Sequence, residues 1–368
     1  MPSKVSSRPP LLFLSFSAQS IMDIIIVTVP MLALSLSASP FEIGLLATSR
    51  GIVYSLLPFA MGHISDRADR RLMLASSMAI YALVAILFYL SRSPAELIAL
   101  RLFEGLAMSI FWPTIEPLFI EARGSSISES IRQFNLSWGL GQIVGPLIGG
   151  GLITLLGVRS PFLLVSAVAA ANMALILSRL PAKGTSGGQA PGRPAKGDGL
   201  SISLVSTNVL LGAILSIFFA FFPAFGVRAG FSALEVGALL FLFGTARLAF
   251  FHKAPSMEMG LEPRVGLASL GLLLIYFGDR ATVYPGVIIT SAAASLVYAY
   301  SIERMLKVEE GFRGRRAGIF EGSLGVGFVS GPFLAGLFAG PSFSNAFIVA
   351  SSLGPMLILA LRAARARG

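Results

Sequence analysis

The sequence predicts an all-α polytopic membrane protein, with twelve transmembrane helices in two pseudo-symmetric six-helix bundles. Three observations predict it. Of 368 residues, 55% are hydrophobic and only 12% charged, against about 25% charged in an average soluble domain. The apolar residues come in runs of roughly 18 to 28, long enough as helices to cross a hydrocarbon layer of about 30 Å. A soluble helix would interrupt such runs with a polar stripe every turn or two. Finally, one polar stretch divides the spans six and six, and motifs ahead of it recur behind it.

The spans fall at 12–37, 41–63, 72–91, 95–120, 127–156, 161–180, 201–224, 233–252, 264–279, 282–304, 317–339 and 343–362. In the first, Lys4 and Arg8 precede an apolar run ending in SLSAS, the outline of a signal peptide. Its length, and Asp23 in its middle, argue for a retained helix. A charged turn, GHISDRADRRLML (62–74), parts the second span from the third. The fourth carries Arg101 and Glu104, and the fifth is glycine-rich. Residues 181–200, PAKGTSGGQAPGRPAKGDGL, have the composition of a flexible linker. The expected domains are therefore 1–180, the linker at 181–200, and 201–368. In the second half the ninth span is the shortest.

The net charge of +10 would suggest a nucleic-acid partner in a soluble protein. Here it reads as topology. With the N-terminus in the cytoplasm, the outer segments hold only Arg92, Arg159, Arg228 and Arg280, while Arg50, Arg101 and Arg247 lie within spans. The remaining basic residues all fall inside, so both termini are expected in the cytoplasm of a multi-pass protein of the cell membrane. There is no cysteine, hence no disulfide and no thiolate metal site. No HExxH, GxSxG or Walker pattern points to an enzyme. GLGQIVG imitates a dinucleotide loop, but its spacing is wrong and it lies within a span. No nucleic-acid partner, metal or cofactor is expected.

The halves repeat one another. Phe134, Ser137, Gly139, Gly141, Gly145 and Pro146 recur, at one constant offset, as Phe320, Ser323, Gly325, Gly327, Gly331 and Pro332. SPFEIGLL from Ser39 is echoed by SALEVGALL from Ser232. Duplicated halves are a signature of secondary transporters, which bind substrate where the repeats meet.

Three motifs carry a family resemblance. The pattern Gly62, Asp66, Arg67, Arg70, Arg71 resembles the loop signature of the major facilitator superfamily, with Asp69 where that motif has Gly. RLFEGLAMS from Arg101 resembles the fourth-helix motif, and Gly141, Gly145, Pro146, Gly149 and Gly150 resemble the fifth-helix motif of drug/proton antiporters. The corresponding loop of the second half, HKAPSMEMGLEPR, has lost the pattern. The resemblance implies the major facilitator fold over the whole chain. It implies a gate in which the loop arginines bridge to an acid at the inner face, with Glu321 favoured over Glu121 and Glu129. It further implies that fifth-helix packing favours an outward-closed resting shape.

A charge at mid-membrane costs roughly 2.5–3.5 kcal/mol or more, so each needs a partner or a task. At 1.5 Å per residue, Asp23 lies about 17 Å from one edge of its span. Arg50, Arg101 and Glu104 lie about 14, 9 and 14 Å from the other edge. All four share one half at comparable depth. Arg101 and Glu104, three apart, share a helix face, and Asp23 is expected to pair with Arg101 or Arg50. Burial disfavours an ionised carboxylate and a neighbouring arginine favours it; the four residues are the expected proton-coupling group, as the resemblance also implies. Gln19, Trp112, Asn135, Trp138, Gln142, Asn208, Arg247 and Tyr298 are expected to line a substrate cavity, with Tyr300 a further candidate. Aromatic walls with a few charges suit amphipathic organic molecules.

The expected function is alternating-access secondary transport, with proton-coupled export of small amphipathic compounds by a monomer in contact with lipid and powered by the proton gradient. An importer or facilitator of sugars, organic anions or nucleosides is the alternative, with Arg50 and Arg247 as anion clamps. A membrane sensor or lipid scramblase is a third.

Overall fold

The computed structural model describes residues 8–65, 67–121, 127–180, 202–253, 259–306 and 310–367. Among these residues the chain forms twelve α-helices and no strand. They are α1 (Arg8–Ser35), α2 (Pro40–Ser65), α3 (Arg70–Leu90), α4 (Pro94–Glu121), α5 (Ile127–Leu156), α6 (Ser160–Arg179), α7 (Ile202–Arg228), α8 (Ala233–Lys253), α9 (Leu261–Phe277), α10 (Arg280–Leu306), α11 (Glu310–Phe338) and α12 (Asn345–Arg367). Eleven are long and apolar enough to cross a membrane. The exception, α9, has 17 residues. It starts just before Pro263, which is tolerated in a first turn, and stops at Gly278, whose φ of 79° is a left-handed cap that other residues rarely adopt. Asp66 and the linker lie outside the described residues.

The helices follow the apolar runs closely. They depart where polar sequence continues a helix: α11 begins at Glu310, ahead of the expected 317, and α12 runs on to Arg367 through LRAARAR. Alanine and arginine are strong helix formers, so backbone hydrogen bonding outlasts the hydrophobic run that a span search detects.

The contacts group the chain into two compact units. One comprises Met1–Ser37, Ser49–Gln189 and Ser232–Phe241, the other Ala38–Thr48, Ala190–Phe231 and Leu242–Gly368. Within the first, α1 packs on α5 and α3 on α4 and α6. Within the second, α7 packs on α11 and α9 on α10 and α12. Helices α1 and α7 are the most enclosed, with 78% and 89% of their apolar stretches buried.

The duplication extends to individual hydrogen bonds. Ser39 and Ser232 each open a helix by donating a backbone N–H, at 2.8 Å, to a glutamate three residues on, Glu42 or Glu235. These are matching capping boxes. Ser109 and Ser295 reach across to the carbonyls of Val53 (3.4 Å) and Arg247 (3.0 Å). The lost loop pattern of the second half survives at one position: Arg70 Nε donates to Ser65 O at 3.2 Å, and Arg264 Nε to Met259 O at 3.1 Å. Each arginine reaches the carbonyl five residues back, at the start of α3 or α9.

Candidate functional site

Three mid-helix charges of the first unit are enclosed, while Arg50 is half-buried. Asp23 is 1% exposed, Arg101 4% and Glu104 0%. On α1, Gln19 stands one turn before Asp23, and its Nε2 donates to Asp23 Oδ2. The face of α5 laid against this turn is made of glycines. A Cβ on Gly141 would overlap the Phe16 carbonyl and come within 2.9 Å of Gln19 Cβ. One on Gly145 would lie 2.6 Å from Ser20 O and 2.8 Å from Asp23 Cβ. No side chain fits at either place, so backbone meets backbone. Contact relaxes at Gly149, where the nearest atom, Ile24 Cα, would be 3.5 Å away. Pro146 and Gly150 are buried on the same helix.

A second cluster joins α2, α3 and α4. Arg101 Nη1 donates to Glu104 Oε2 at 2.5 Å, and Arg50 Nη1 lies 3.8 Å from Glu104 Oε1. The helices approach closely because residue 105 is glycine: a Cβ there would be 2.8 Å from Arg50 O. Tyr81 of α3 is wholly buried and feels the charges of Glu104, Arg50 and Arg101. Its hydroxyl has no hydrogen-bond partner among the described residues. The expected group of four thus shares one unit. Arg101 donates to Glu104 on its own helix, and Asp23 accepts from Gln19, which the sequence suggested as cavity wall. Tyr81 carried no sequence signal beyond being a hydroxyl in an apolar run.

Matching contacts in the second unit show what the repeat holds at these places. Gly331 crowds Ala213 as Gly145 crowds Ser20, which puts Ser216 where the first unit has Asp23. Ser291 donates to Phe243 O where Gly105 abuts Arg50 O, which puts Phe243 in place of Arg50 and, along α10, Val287 and Thr290 in place of Arg101 and Glu104. The ionic chemistry of these positions belongs to the first unit only.

The remaining expected residues are dispersed. Gly62 lies within the last turn of α2, not in the turn that follows, and a Cβ there would meet Pro113 at an ordinary 3.7 Å. Close packing does not require it. Asp69, the departure from the loop motif, is the N-cap of α3, accepting from Arg71 N at 2.9 Å. Arg70 is buried and Arg67 exposed. Glu321 is exposed on α11, and Tyr298 feels both its charge and that of Arg247. Trp138 donates to Asn135 at 3.1 Å on α5, with Gln142 half-buried one turn further along. Trp112 is buried edge-on to Phe111 and Phe134. Asn208 is fully buried, and neither atom of its amide is hydrogen-bonded among the described residues. Tyr300 carries two guanidinium groups, Arg304 at 3.7 Å and Arg264 at 5.2 Å from its ring centre.

The family model described as Major Facilitator Superfamily matches residues 11–285. The multidrug efflux protein YfmO of Bacillus subtilis is 31% identical over 171 residues, which are 46% of this chain and 42% of that protein. The multidrug resistance protein MdtG of Klebsiella pneumoniae is 28% identical over 162 residues, 44% of this chain and 39% of that protein. The aligned stretch therefore spans about two fifths of the length of these curated relatives. Among solved structures, the nucleoside transporter NupG aligns over 97% of this chain and 98% of its own, with a TM-score of 0.77 and 15% identity. A bacterial homologue of the human lysosomal transporter Spinster aligns over 97% and 96%, with a TM-score of 0.77 and 16% identity. At such identities these likenesses speak for the fold alone.

Proposed function

Since the chain belongs to the Major Facilitator Superfamily, a family of membrane transporters and not of enzymes, we propose that it is a secondary transporter that exchanges protons for small amphipathic organic compounds. Export is the favoured direction, in keeping with the likeness to YfmO, a multidrug efflux protein. The observation that carries the reading is Asp23: a carboxylate 1% exposed in the middle of an apolar helix, with a donor from Gln19 and glycine backbone against it. Such a group is costly unless it has a task. Taking up and releasing a proton is the task that a buried carboxylate performs without any cofactor.

Asp23 is read as the proton carrier. The Arg101–Glu104–Arg50 cluster of the same unit sets the field around it, and a cationic substrate competes with the proton for that field. The loop bearing Arg67, Arg70 and Arg71 is read as one side of a cytoplasmic gate, with Asp66 beside it and Glu321 as the acid it meets. Both termini are read as cytoplasmic, at the cell membrane, and the protein as a monomer.

The test is transport in proteoliposomes, with ethidium as the probe. Asp23→Asn should abolish accumulation driven by a pH gradient while sparing counterflow between equal pH values. Unchanged gradient-driven accumulation in Asp23→Asn removes Asp23 from the mechanism. A second reading rests on Arg247, which shares Tyr298 with Glu321: an organic anion would dock there. It predicts that Arg247→Gln raises KM for an anionic substrate and leaves ethidium transport unaltered.

A further inference from the structure

We propose that Gly141 and Gly145 are positioning residues for the proton on Asp23: contact of α5 with α1 at these glycines sets the Gln19–Asp23 hydrogen bond, so displacement of α5 changes how tightly Asp23 holds its proton. The inference rests on the reading of Asp23 given above and adds the element that would act on it.

The geometry is confined to one turn. Gly141 and Gly145 are four residues apart on α5, and Gln19 and Asp23 are four apart on α1. Each glycine bears on one member of the pair, at 2.9 Å from Gln19 Cβ and 2.8 Å from Asp23 Cβ for the position a Cβ would take. Beyond the pair, at Gly149, contact returns to an ordinary 3.5 Å. Backbone against backbone leaves no flexible side chain to absorb a shift, so displacement of α5 is passed to the carbons that carry the amide and the carboxylate. The amide N–H favours the ionised carboxylate; weakening that bond favours the protonated one.

Few other groups compete for this role. Three helices pack on α1, namely α4, α5 and α6. Of these, α4 carries Arg101 and Glu104. Helix α5 has no titratable residue beyond Arg132, and α6 none before Arg179. On α4, Arg101 donates to Glu104 of the same helix, whereas α5 meets the Gln19–Asp23 turn directly.

The second unit supplies the control. A Cβ on Gly331 would come within 2.6 Å of Ala213 Cα, crowding as severe as at Gly145, but against a helix with Ser216 in place of the acid. The experiment measures the pH profile of ethidium counterflow in proteoliposomes for Gly145→Ala, Gly331→Ala, Gln19→Ala and Asp23→Asn. Gly145→Ala and Gln19→Ala should each move the midpoint by about one unit towards higher pH. Gly331→Ala should lower the rate with the midpoint in place. A midpoint unmoved in either Gly145→Ala or Gln19→Ala overturns the proposal, as does an equal shift in Gly331→Ala. If Gly145→Ala does not fold, Gly141→Ala, which presses on the Gln19 end of the same turn, takes its place with the same outcomes. Loss of gradient-driven transport in Asp23→Asn with unmoved midpoints rejects the glycine role and keeps Asp23 as carrier. Intact gradient-driven transport in Asp23→Asn rejects the carrier itself.

Discussion

Arg101 holds Glu104 at 2.5 Å from one turn away on the same helix, and both side chains are shut off from solvent. Removing Arg101 takes the short partner from the buried Glu104 carboxylate and leaves it the longer contact with Arg50 at 3.8 Å. A buried charge without its partner costs about 3–5 kcal/mol. Arg101→Ala should therefore lower the melting temperature of the purified protein sharply, and the double variant Arg101→Ala, Glu104→Gln should recover most of the loss. A double variant no more stable than Arg101→Ala would show that the loss does not come from a buried carboxylate deprived of its arginine.

The Tyr81 hydroxyl is enclosed with no hydrogen-bond partner among the described residues. A buried polar atom left unsatisfied costs about 1–3 kcal/mol. Tyr81→Phe should leave stability unchanged or raise it by about 1 kcal/mol, read from thermal unfolding in detergent. A marked loss would mean that the hydroxyl is bonded in solution.

Glycines divide sharply by surroundings. A methyl group on Gly105 would press on Arg50 O at 2.8 Å, whereas one on Gly266 would meet nothing within 4 Å. Gly105→Ala should cost about 1–3 kcal/mol through overpacking. Gly266→Ala should gain up to about 1 kcal/mol from helix propensity. Melting curves of the two variants should move in opposite directions.

The matching helix starts offer a test of the duplication. Ser39→Ala and Ser232→Ala each remove the hydroxyl of a capping box and should each cost about 0.5–2 kcal/mol. Near-equal losses in melting experiments are expected; a loss in one alone would mean that the two caps no longer bear equally on stability.

How far the chain could be read in advance followed the kind of signal each feature leaves. Span number and order came directly from hydropathy, because a run of twenty apolar residues has few alternatives. The repeat was visible in α5 and α11, where close backbone approach demands glycine, but not in α3 and α9, where only Arg70 and Arg264 keep the shared role and their neighbours have drifted. Partners were harder to foresee. In a helix apolar on every side, no periodicity marks which face meets which neighbour. Thus the hydrogen bond from Gln19 to Asp23 and the enclosure of Asn208 left no mark in the sequence pattern. Asp69, which breaks the loop motif, has a local explanation as the cap of α3.

The Arg101–Glu104 pair also bears on how such a chain enters the bilayer during synthesis. Because the two opposite charges sit on one helix, α4 arrives at the insertion machinery with that buried pair already matched. No later segment has to emerge to supply either charge with its counterpart. Asp23 has no such arrangement with an ion on α1: when the first helix emerges, Gln19 is at hand, but the glycines of α5 are still more than a hundred residues from being made. The first helix is thus the one whose settling into lipid must wait for the ribosome, and a ribosomal pause or truncation ahead of α5 would leave it the most exposed to quality control.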